Sequence, residues 1–378
     1  MINTIDKNDM IEEKYIATMV LHGLGDTIGY KNGEWEFMKS TNVTDKILEK
    51  VYEFIDFGGI NNVPQKGWNI SDDTIMHVRV ANGLLQNYDS VESFCNILIN
   101  EFVDAFNKEF STEIGLKKRN PGVTLLDSLE RLRKIPLYND MPYDYYAGGS
   151  GASMRSSCIG LAFHGLNNRN ELIKYSIESS RITHNSTVGF LGGLVAALFT
   201  AYAIENINVR EWPFLLLDLF NNKIIDNYIK QSNRDYDQYS QDVHIFINKW
   251  TIYINDKFDE NGNVIKRRSS KNLIYRSQYY YDNFKFQEEK SIDFFPGSGG
   301  DDSVIISYDC LIDAGTNWEK LVFYAMLHGG DTDTTGCIAG SWFGALYGFN
   351  DVPKSRIELI ENKDELYNLG KKLYKKYK

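Results

Sequence analysis

The chain has 378 residues, of which 43% are apolar and 24% are charged, so it can bury a sizeable core in one large or two medium domains. The formal net charge of −10 argues against a general nucleic-acid partner, because such binding usually needs a basic face. An anionic ligand would therefore need a bound cation or backbone N–H groups.

The N-terminal segment lacks a basic start followed by an unbroken apolar run, which argues against a secretory signal. The four cysteines are scattered without a C-x-x-C pair, and we expect free thiols in a reducing, cytoplasmic compartment: Cys95, Cys158, Cys310 and Cys337.

Apolar residues recur at helical spacing along most of the chain, whereas strand-like alternation is sparse. The predicted helices span 12–22, 44–57, 89–110, 124–134, 170–182, 303–313, 318–327, 333–347 and 363–376. Residues 188–204 carry no charge and reach the lower length limit of a membrane span. Because this segment stands alone and is rich in Gly and Ala, we expect a buried core helix and no membrane partner.

Residues 221–290 are unusually polar and include a turn at residues 261–263. We interpret this region as peripheral helices and loops, and we expect the whole chain, 1–378, to form a single all-α domain that closes through its two ends.

The first acidic cluster is Ser71-Asp72-Asp73-Thr74, which precedes an apolar stretch typical of a core helix. A serine at an N-cap and acids in the first turn suit any helix start, so a simple cap explains the motif about as well as a metal site.

The second acidic cluster, residues 331–334, lies between glycines and precedes a helix of small apolar residues. The cluster could be no more than a tight turn. However, the carboxylates of Asp331 and Asp333 are hard oxygen ligands of the kind that Mg²⁺ or Mn²⁺ prefers. Two like charges about 4 Å apart repel by roughly 4 kcal/mol at an effective dielectric constant of 20. If the two clusters met in space, they would therefore protonate or bind cations.

Two glycine-rich loops, residues 148–151 and 297–300, precede helices and could present backbone N–H groups to phosphate. Taken alone, each is better explained as a structural turn or a linker. Arg155 could pair with phosphate or with an acid, and His184 lies at a helix junction where it could meet an anion. The histidines lack H-E-x-x-H spacing, which disfavours zinc.

Five segments, in this order, resemble the ADP-ribosylglycohydrolase family, and the resemblance spans nearly the whole chain: residues 25–29, 71–74, 149–155, 183–184 and 329–336. Residues 30–37, 176–179 and 297–302 look most similar to its ADP-ribosylarginine hydrolase branch.

The resemblance implies an orthogonal multi-helix bundle of all-α class with two Mg²⁺ ions, or Mn²⁺ in their place. It implies metal ligands from both acidic clusters, namely Ser71, Asp72, Asp73, Asp331, Asp333 and Thr334. It also implies ADP-ribose contacts or support from Asp26, Gly149, Ser150, Gly151, Ser153, Met154, Arg155, His184, Gly297, Ser298, Gly299 and Gly300.

The implied reaction is hydrolysis of the N-glycosidic bond between ADP-ribose and arginine in mono-ADP-ribosylated proteins, releasing ADP-ribose. Our hypothesis gives Asp73 a role in proton transfer and Asp72 a positioning role. Relatives that act on serine linkages use a glutamate early in the chain, and Glu34 and Glu36 both stand in that region.

Two alternatives remain open at this point. One is a non-catalytic ADP-ribose-binding protein, and the other is a hydrolase of serine-linked ADP-ribose, poly(ADP-ribose) or O-acetyl-ADP-ribose. We expect a monomer.

Overall fold

The structure is a computed structural model that describes residues 7–38, 43–265, 272–284 and 295–378. These residues form eighteen α-helices and no strands, which confirms the all-α prediction. The first nine helices are α1 (Lys7–Tyr30), α2 (Val43–Asp56), α3 (Asp72–Leu85), α4 (Val91–Ala105), α5 (Glu113–Arg119), α6 (Val123–Lys134), α7 (Ser157–Ala162), α8 (Arg169–Arg181) and α9 (Thr187–Ile204).

The other nine are α10 (Trp212–Asn221), α11 (Ile224–Gln231), α12 (Tyr236–Lys257), α13 (Leu273–Asn283), α14 (Asp302–Ala314), α15 (Trp318–Ala325), α16 (Thr332–Tyr347), α17 (Lys354–Ile357) and α18 (Lys363–Tyr377). Short 3₁₀ turns occur at Lys31–Gly33, Tyr138–Asp140, Leu166–Asn168 and Val209–Glu211, and a π-turn at Phe106–Phe110 follows α4.

Helix α1 continues beyond the predicted end at residue 22 because its glycines are packing positions. A Cβ atom on Gly25 would lie 2.1 Å from Gly336 O of α16, and one on Gly29 would lie 2.1 Å from Thr332 O. Only glycine allows the two backbones to approach this closely. The extra turns of α1 carry Asp26 to the start of α16.

The two ends of the chain pack together through α1 and α18. A Cβ atom on Gly370 would lie 2.5 Å from Ile16 Cα, and Tyr374 Oη donates to Asn8 O at 3.2 Å. This contact places the beginning and the end of the chain around one apolar core.

Helix α9 is apolar on all sides and 94% of it is buried inside the protein. Its neighbours approach closely, since a Cβ atom on Gly160 would lie 2.1 Å from Ala197 O. This burial supports the interpretation of residues 188–204 as a core helix rather than a membrane span.

The polar region 221–290 contributes α11, α12 and α13. The turn at residues 261–263 is closed by a bridge between Phe258 and Val264. Its parts at 266–271 and 285–290 lie outside the described residues. The four cysteines are buried and free.

Candidate metal centre

The first acidic cluster begins helix α3. Ser71 is the N-cap, and its Oγ accepts the backbone N–H of Asp73 at 3.2 Å. Asp72 and Asp73 occupy the first turn and are almost fully buried. The capping interpretation is therefore correct for Ser71, but a cap does not need two buried carboxylates.

Asp26 of α1 fixes the start of α3 from outside that helix. Its carboxylate accepts the backbone N–H of Ser71 at 3.0 and 3.1 Å and that of Thr74 at 3.1 Å. These N–H groups belong to a helix start, where donors have no partner within the helix. Asp26 thus aligns the first acidic cluster.

The second acidic cluster begins helix α16. Asp331 N donates to Pro296 O at 2.9 Å, and Asp333 Oδ1 accepts Thr334 N at 2.9 Å. Thr332 Oγ1 donates to Gly29 O at 2.9 Å, which ties this loop to α1. Asp331, Asp333 and Thr334 are all buried.

The two clusters meet beside α1. Cys337 of α16 links them, because its Sγ atom lies 3.4 Å from Asp73 Oδ2 and 3.1 Å from Thr334 O. Burial, followed by the charge of Asp333, raises the pKa values of Asp72 and Asp73 well above their usual range. The first cluster therefore lies within electrostatic reach of the second.

Glu36 joins this group, although the sequence did not place it among the metal ligands. Its carboxylate lies within 4.8 Å of ligand atoms of both Asp331 and Asp333. One oxygen, Oε1, accepts Asn120 Nδ2 at 2.8 Å, whereas Oε2 is buried and has no hydrogen-bond partner among the described residues. Burial and then Asp333 raise the pKa of Glu36 well above its usual range.

Backbone pairing explains how Glu36 reaches the centre. Phe37 N donates to Gly330 O at 3.0 Å, and Met38 N donates to Gly329 O at 2.9 Å. Glu34, the other early candidate, is instead 66% exposed and pairs with Lys31.

The donor set fits divalent cations. Six carboxylates are buried here, namely Asp26, Glu36, Asp72, Asp73, Asp331 and Asp333. A helix N-terminus offsets only about 0.3–1 kcal/mol per acid. The repulsion between two such charges is several times larger, so protons or cations must compensate for it. Oxygen-only ligands favour Mg²⁺ or Mn²⁺, and no described donor reaches Glu36 Oε2.

The two glycine-rich loops pair with each other. Ser150 N donates to Ser298 O and Gly300 N donates to Gly148 O, both at 2.8 Å, in an antiparallel bridge that joins Gly149 to Gly299. The paired loops reach the second acidic cluster, since Ser150 Oγ lies 3.4 Å from Asp331 Oδ2 and the Pro296 carbonyl accepts Asp331 N.

The carboxylate of Asp302 holds the backbone of the loop of residues 297–300. Its Oδ2 accepts Gly297 N at 3.0 Å and its Oδ1 accepts Gly299 N at 2.7 Å. Gly297 adopts φ +98°, a conformation that favours glycine. Gly300 packs on α9, where a Cβ atom would lie 2.5 Å from Val188 O. Ser298 Oγ donates to Phe295 O at 2.7 Å.

His184 packs against the other glycine loop. A Cβ atom on Gly151 would lie 2.3 Å from His184 Cε1, so the imidazole ring needs glycine at this position. His184 Nδ1 lies 2.8 Å from Thr183 Oγ1. Burial, followed by the charge of Arg155, lowers the pKa of His184 to about 3, which keeps the ring neutral.

The Arg155 side chain is fully buried. Its guanidinium group donates to Gly151 O at 2.8 Å, to Thr183 Oγ1 at 2.7 Å and to Ser179 O at 3.0 Å. Among the described residues these partners are carbonyl and hydroxyl oxygens rather than acids, and the predicted phosphate contact stays a prediction. Arg155 holds the glycine loop against the Thr183–His184 junction.

Ser153 and Met154 also face inwards. Ser153 Oγ donates to Ser150 O at 2.8 Å and contacts Ser303 Oγ at 2.8 Å, and the Met154 side chain is buried. The side chains of this loop therefore shape its backbone from inside the protein.

Two cavities flank the junction at His184. One, of about 330 Å³, includes Thr187, Val188 and the Lys249–Asp301 ion pair in its wall. The other, of about 320 Å³, lies beside Thr183 and Asn185. Both adjoin the helix junction that carries His184 rather than the acidic centre itself.

Comparison with known proteins identifies the family of this chain. The profile of the ADP-ribosylglycohydrolase family matches residues 7–378. The chain is 36% identical to ADP-ribosylhydrolase ARH1 of Dictyostelium discoideum, over 99% of this chain and 95% of the relative. It is 25% identical to ADP-ribosylhydrolase ARH3 of Danio rerio, over 97% of this chain and 92% of the relative.

A further relative, from Acanthamoeba polyphaga mimivirus, is 38% identical over 91% of this chain, and the match spans 66% of that longer protein. A solved structure titled an ADP-ribosylglycohydrolase-related protein complex shares the fold with a TM-score of 0.57 and 15% identity, over 97% of this chain and 99% of the other. The chain belongs to the ADP-ribosylglycohydrolase family.

Proposed function

We propose that the protein is a Mg²⁺-dependent hydrolase of the N-glycosidic bond between ADP-ribose and arginine side chains of mono-ADP-ribosylated proteins. The observation that carries this proposal is the convergence of Asp72 and Asp73 with Asp331, Asp333 and Glu36 in one buried centre. The likeness to ADP-ribosylhydrolase ARH1 over nearly the whole of both chains supports the reaction class.

In this proposal two divalent cations are held by the two clusters, through Ser71, Asp72, Asp73, Asp331, Asp333 and Thr334, with Glu36 as an added oxygen ligand or proton acceptor. When bound, the metal supplies positive charge that orients the ribose hydroxyls and a water molecule.

Cleavage passes through a transition state with positive charge on the ribose, which nearby carboxylates stabilise. Guanidine leaves only when it is protonated, so one acid must deliver a proton and a base must receive one from water. We assign proton transfer to Asp73 and a positioning role to Asp72. Glu36 competes for the base role because its Oε2 has no described partner.

The rest of ADP-ribose would lie along the paired glycine loops. The backbone N–H groups of Gly149 and Gly151 would meet the diphosphate, next to a neutral His184, since the N–H of Ser150 is donated to Ser298 O. The loop of residues 297–300 then faces the adenosine end.

Glu36 also gives a specific reason to test serine-linked ADP-ribose as a second substrate. A glutamate early in the chain is the feature we associated with relatives that act on serine linkages, and Glu36 lies at the centre. Arginine remains the first proposal because three segments of the sequence favour that branch.

One experiment separates these functions. The protein is incubated with arginine-linked, serine-linked and O-acetyl ADP-ribose, with Mg²⁺ or with EDTA, alongside Asp73→Asn. We expect release from arginine that needs Mg²⁺ and falls at least 100-fold in the variant. Release that survives both EDTA and Asp73→Asn would contradict the metal mechanism. Binding of ADP-ribose without turnover of any substrate would favour a binding protein.

Glu34 and Glu36 offer a matched pair for the same assay. Glu36→Gln removes a charge from the centre, whereas Glu34→Gln removes one from an exposed side chain two positions away. We expect a large loss of release for the first variant and none for the second.

A further inference from the structure

Asn120 contacts the metal centre from a part of the chain that carries no acidic motif. It follows α5 in a left-handed conformation, with φ +52°, and its Nδ2 donates to Glu36 Oε1 at 2.8 Å. Glu36 Oε2 is then the oxygen without a described partner, on a carboxylate that has an oxygen within 4.8 Å of ligand atoms of Asp331 and Asp333.

The turn that carries Asn120 is anchored by its preceding residue. Arg119 donates to Ile70 O at 2.9 Å and to Glu361 at 2.7 and 3.1 Å. Burial raises the pKa of Asp72, and the backbone of Gly122, two residues after Asn120, acts against that rise. The turn therefore lies near both Glu36 and Asp72.

We propose that Asn120 is a positioning residue, which holds Glu36 through Oε1 and so directs Oε2 at the divalent cations of the centre. The proposal rests on the metal centre of the proposed function. A fixed amide donor selects one rotamer of a long, flexible carboxylate side chain. Residues that orient a metal ligand in this way typically change metal affinity by about 10- to 100-fold when they are removed.

The backbone at Asn120 makes a clean deletion available. Glycine adopts φ +52° without strain, so Asn120→Gly removes the amide and preserves the turn. Asn206 is a matched control, because it has φ +56° and lies at an exposed position where its amide contacts Lys14 and Ile204 O.

The test measures Mn²⁺ binding from the electron paramagnetic resonance signal of free Mn²⁺, together with the melting temperature in EDTA. We expect Asn120→Gly to weaken Mn²⁺ binding about tenfold while the melting temperature in EDTA stays within about 2 °C of the wild type. Asn206→Gly should leave Mn²⁺ binding unchanged.

If Asn120→Gly binds Mn²⁺ with the same affinity as the wild type, the positioning role is overturned. A loss of affinity matched by an equal loss in Asn206→Gly would overturn it as well. Asp333→Asn separates this failure from failure of the proposed function. If Asp333→Asn also binds Mn²⁺ like the wild type, the proposal of a metal centre is wrong. If Asp333→Asn loses Mn²⁺ binding, only the proposed role of Asn120 is wrong.

Discussion

Asp26 accepts the backbone N–H of Ser71 with both of its carboxylate oxygens, at 3.0 and 3.1 Å. This contact crosses from α1 to the start of α3, and it makes a buried acid part of the frame of the centre rather than an isolated charge. Burial, followed by the charge of Asp333, raises the pKa of Asp26 to about 7.

Asp26→Asn tests this supporting role. The change removes one of the clustered negative charges, so we expect the metal-free protein to be at least as stable as the wild type. Metal affinity should fall about 10-fold or more, because the start of α3 loses a charged acceptor. Melting curves with and without Mg²⁺ measure both effects. Asp9→Asn, at an exposed position on the same helix, should alter neither.

Gly340→Ala tests the close approach of α1 and α16. A Cβ atom at Gly340 would lie 2.2 Å from Leu21 O, and backbone cannot move aside as a side chain can. We expect the free energy of unfolding to fall by about 1–3 kcal/mol or more, as measured by urea unfolding. Gly122→Ala is the control, since a Cβ atom there meets nothing within 4 Å, and a loss equal to that of Gly340→Ala would contradict the packing argument.

The starts of the helices were predictable from the sequence, whereas the end of α1 was not. Helix starts at Asp72 and Thr332 followed from capping residues and first-turn acids, which are local signals. The end of α1 was predicted too early because Gly25 and Gly29 are ordinary helix breakers when read locally. Glycine is needed at these positions because α1 contacts the backbone of α16, which lies more than 300 residues away in the chain.

The acidic motifs of the site were predictable from the sequence. The residues that reach the site through loop pairing were not. Glu36 reaches the centre because residues 37–38 pair with residues 329–330, and no periodicity in the sequence encodes that contact. Asn120 gave no signal, since an asparagine after a helix reads as a simple C-cap. Arg155 was left undecided because its inward partners are backbone carbonyl groups.

Glu361→Gln tests the anchor of the Asn120 turn and depends on pH. Burial would raise the pKa of Glu361, but hydrogen bonds from Arg119 and Lys118 outweigh it and lower the pKa to about 2 from 4.5. The stabilisation is therefore complete above pH 4.5 and is lost as the pH falls towards 2. We expect the variant to lose about 1–2 kcal/mol of stability at pH 7 and less at pH 3.5.

Urea unfolding at both pH values checks the effect of Glu361→Gln. The control is Glu358→Gln, whose side chain is 65% exposed and pairs with Lys363. A loss of stability that is the same at pH 7 and pH 3.5 would show that the charge of Glu361 is not its cause.

Lys50→Met should stabilise the protein. The Lys50 amine is buried and has no hydrogen-bond partner among the described residues, and burial lowers its pKa to about 7 from 10.5. The folded state therefore bears the cost of the buried charge fully below pH 7, and that cost fades as the pH rises to 10.5. We expect a gain of about 1–3 kcal/mol at pH 6.5 and a smaller gain at pH 9.5.

Urea unfolding in EDTA at the two pH values measures the effect of Lys50→Met. Lys46→Met, at an exposed position of the same helix, is the control and should change stability by no more than about 0.5 kcal/mol. A loss of stability for Lys50→Met would mean that the amine has a partner that outweighs its burial.

The most direct measurement of the central claim is the number of divalent cations that bind to one chain, by calorimetric titration of the metal-free protein with Mn²⁺. The converged clusters predict two ions per chain in the wild type and in Glu34→Gln, and weakened or absent binding in Asp333→Asn. A wild-type chain that binds no Mn²⁺, or an Asp333→Asn variant that binds it with wild-type affinity and stoichiometry, would contradict the account.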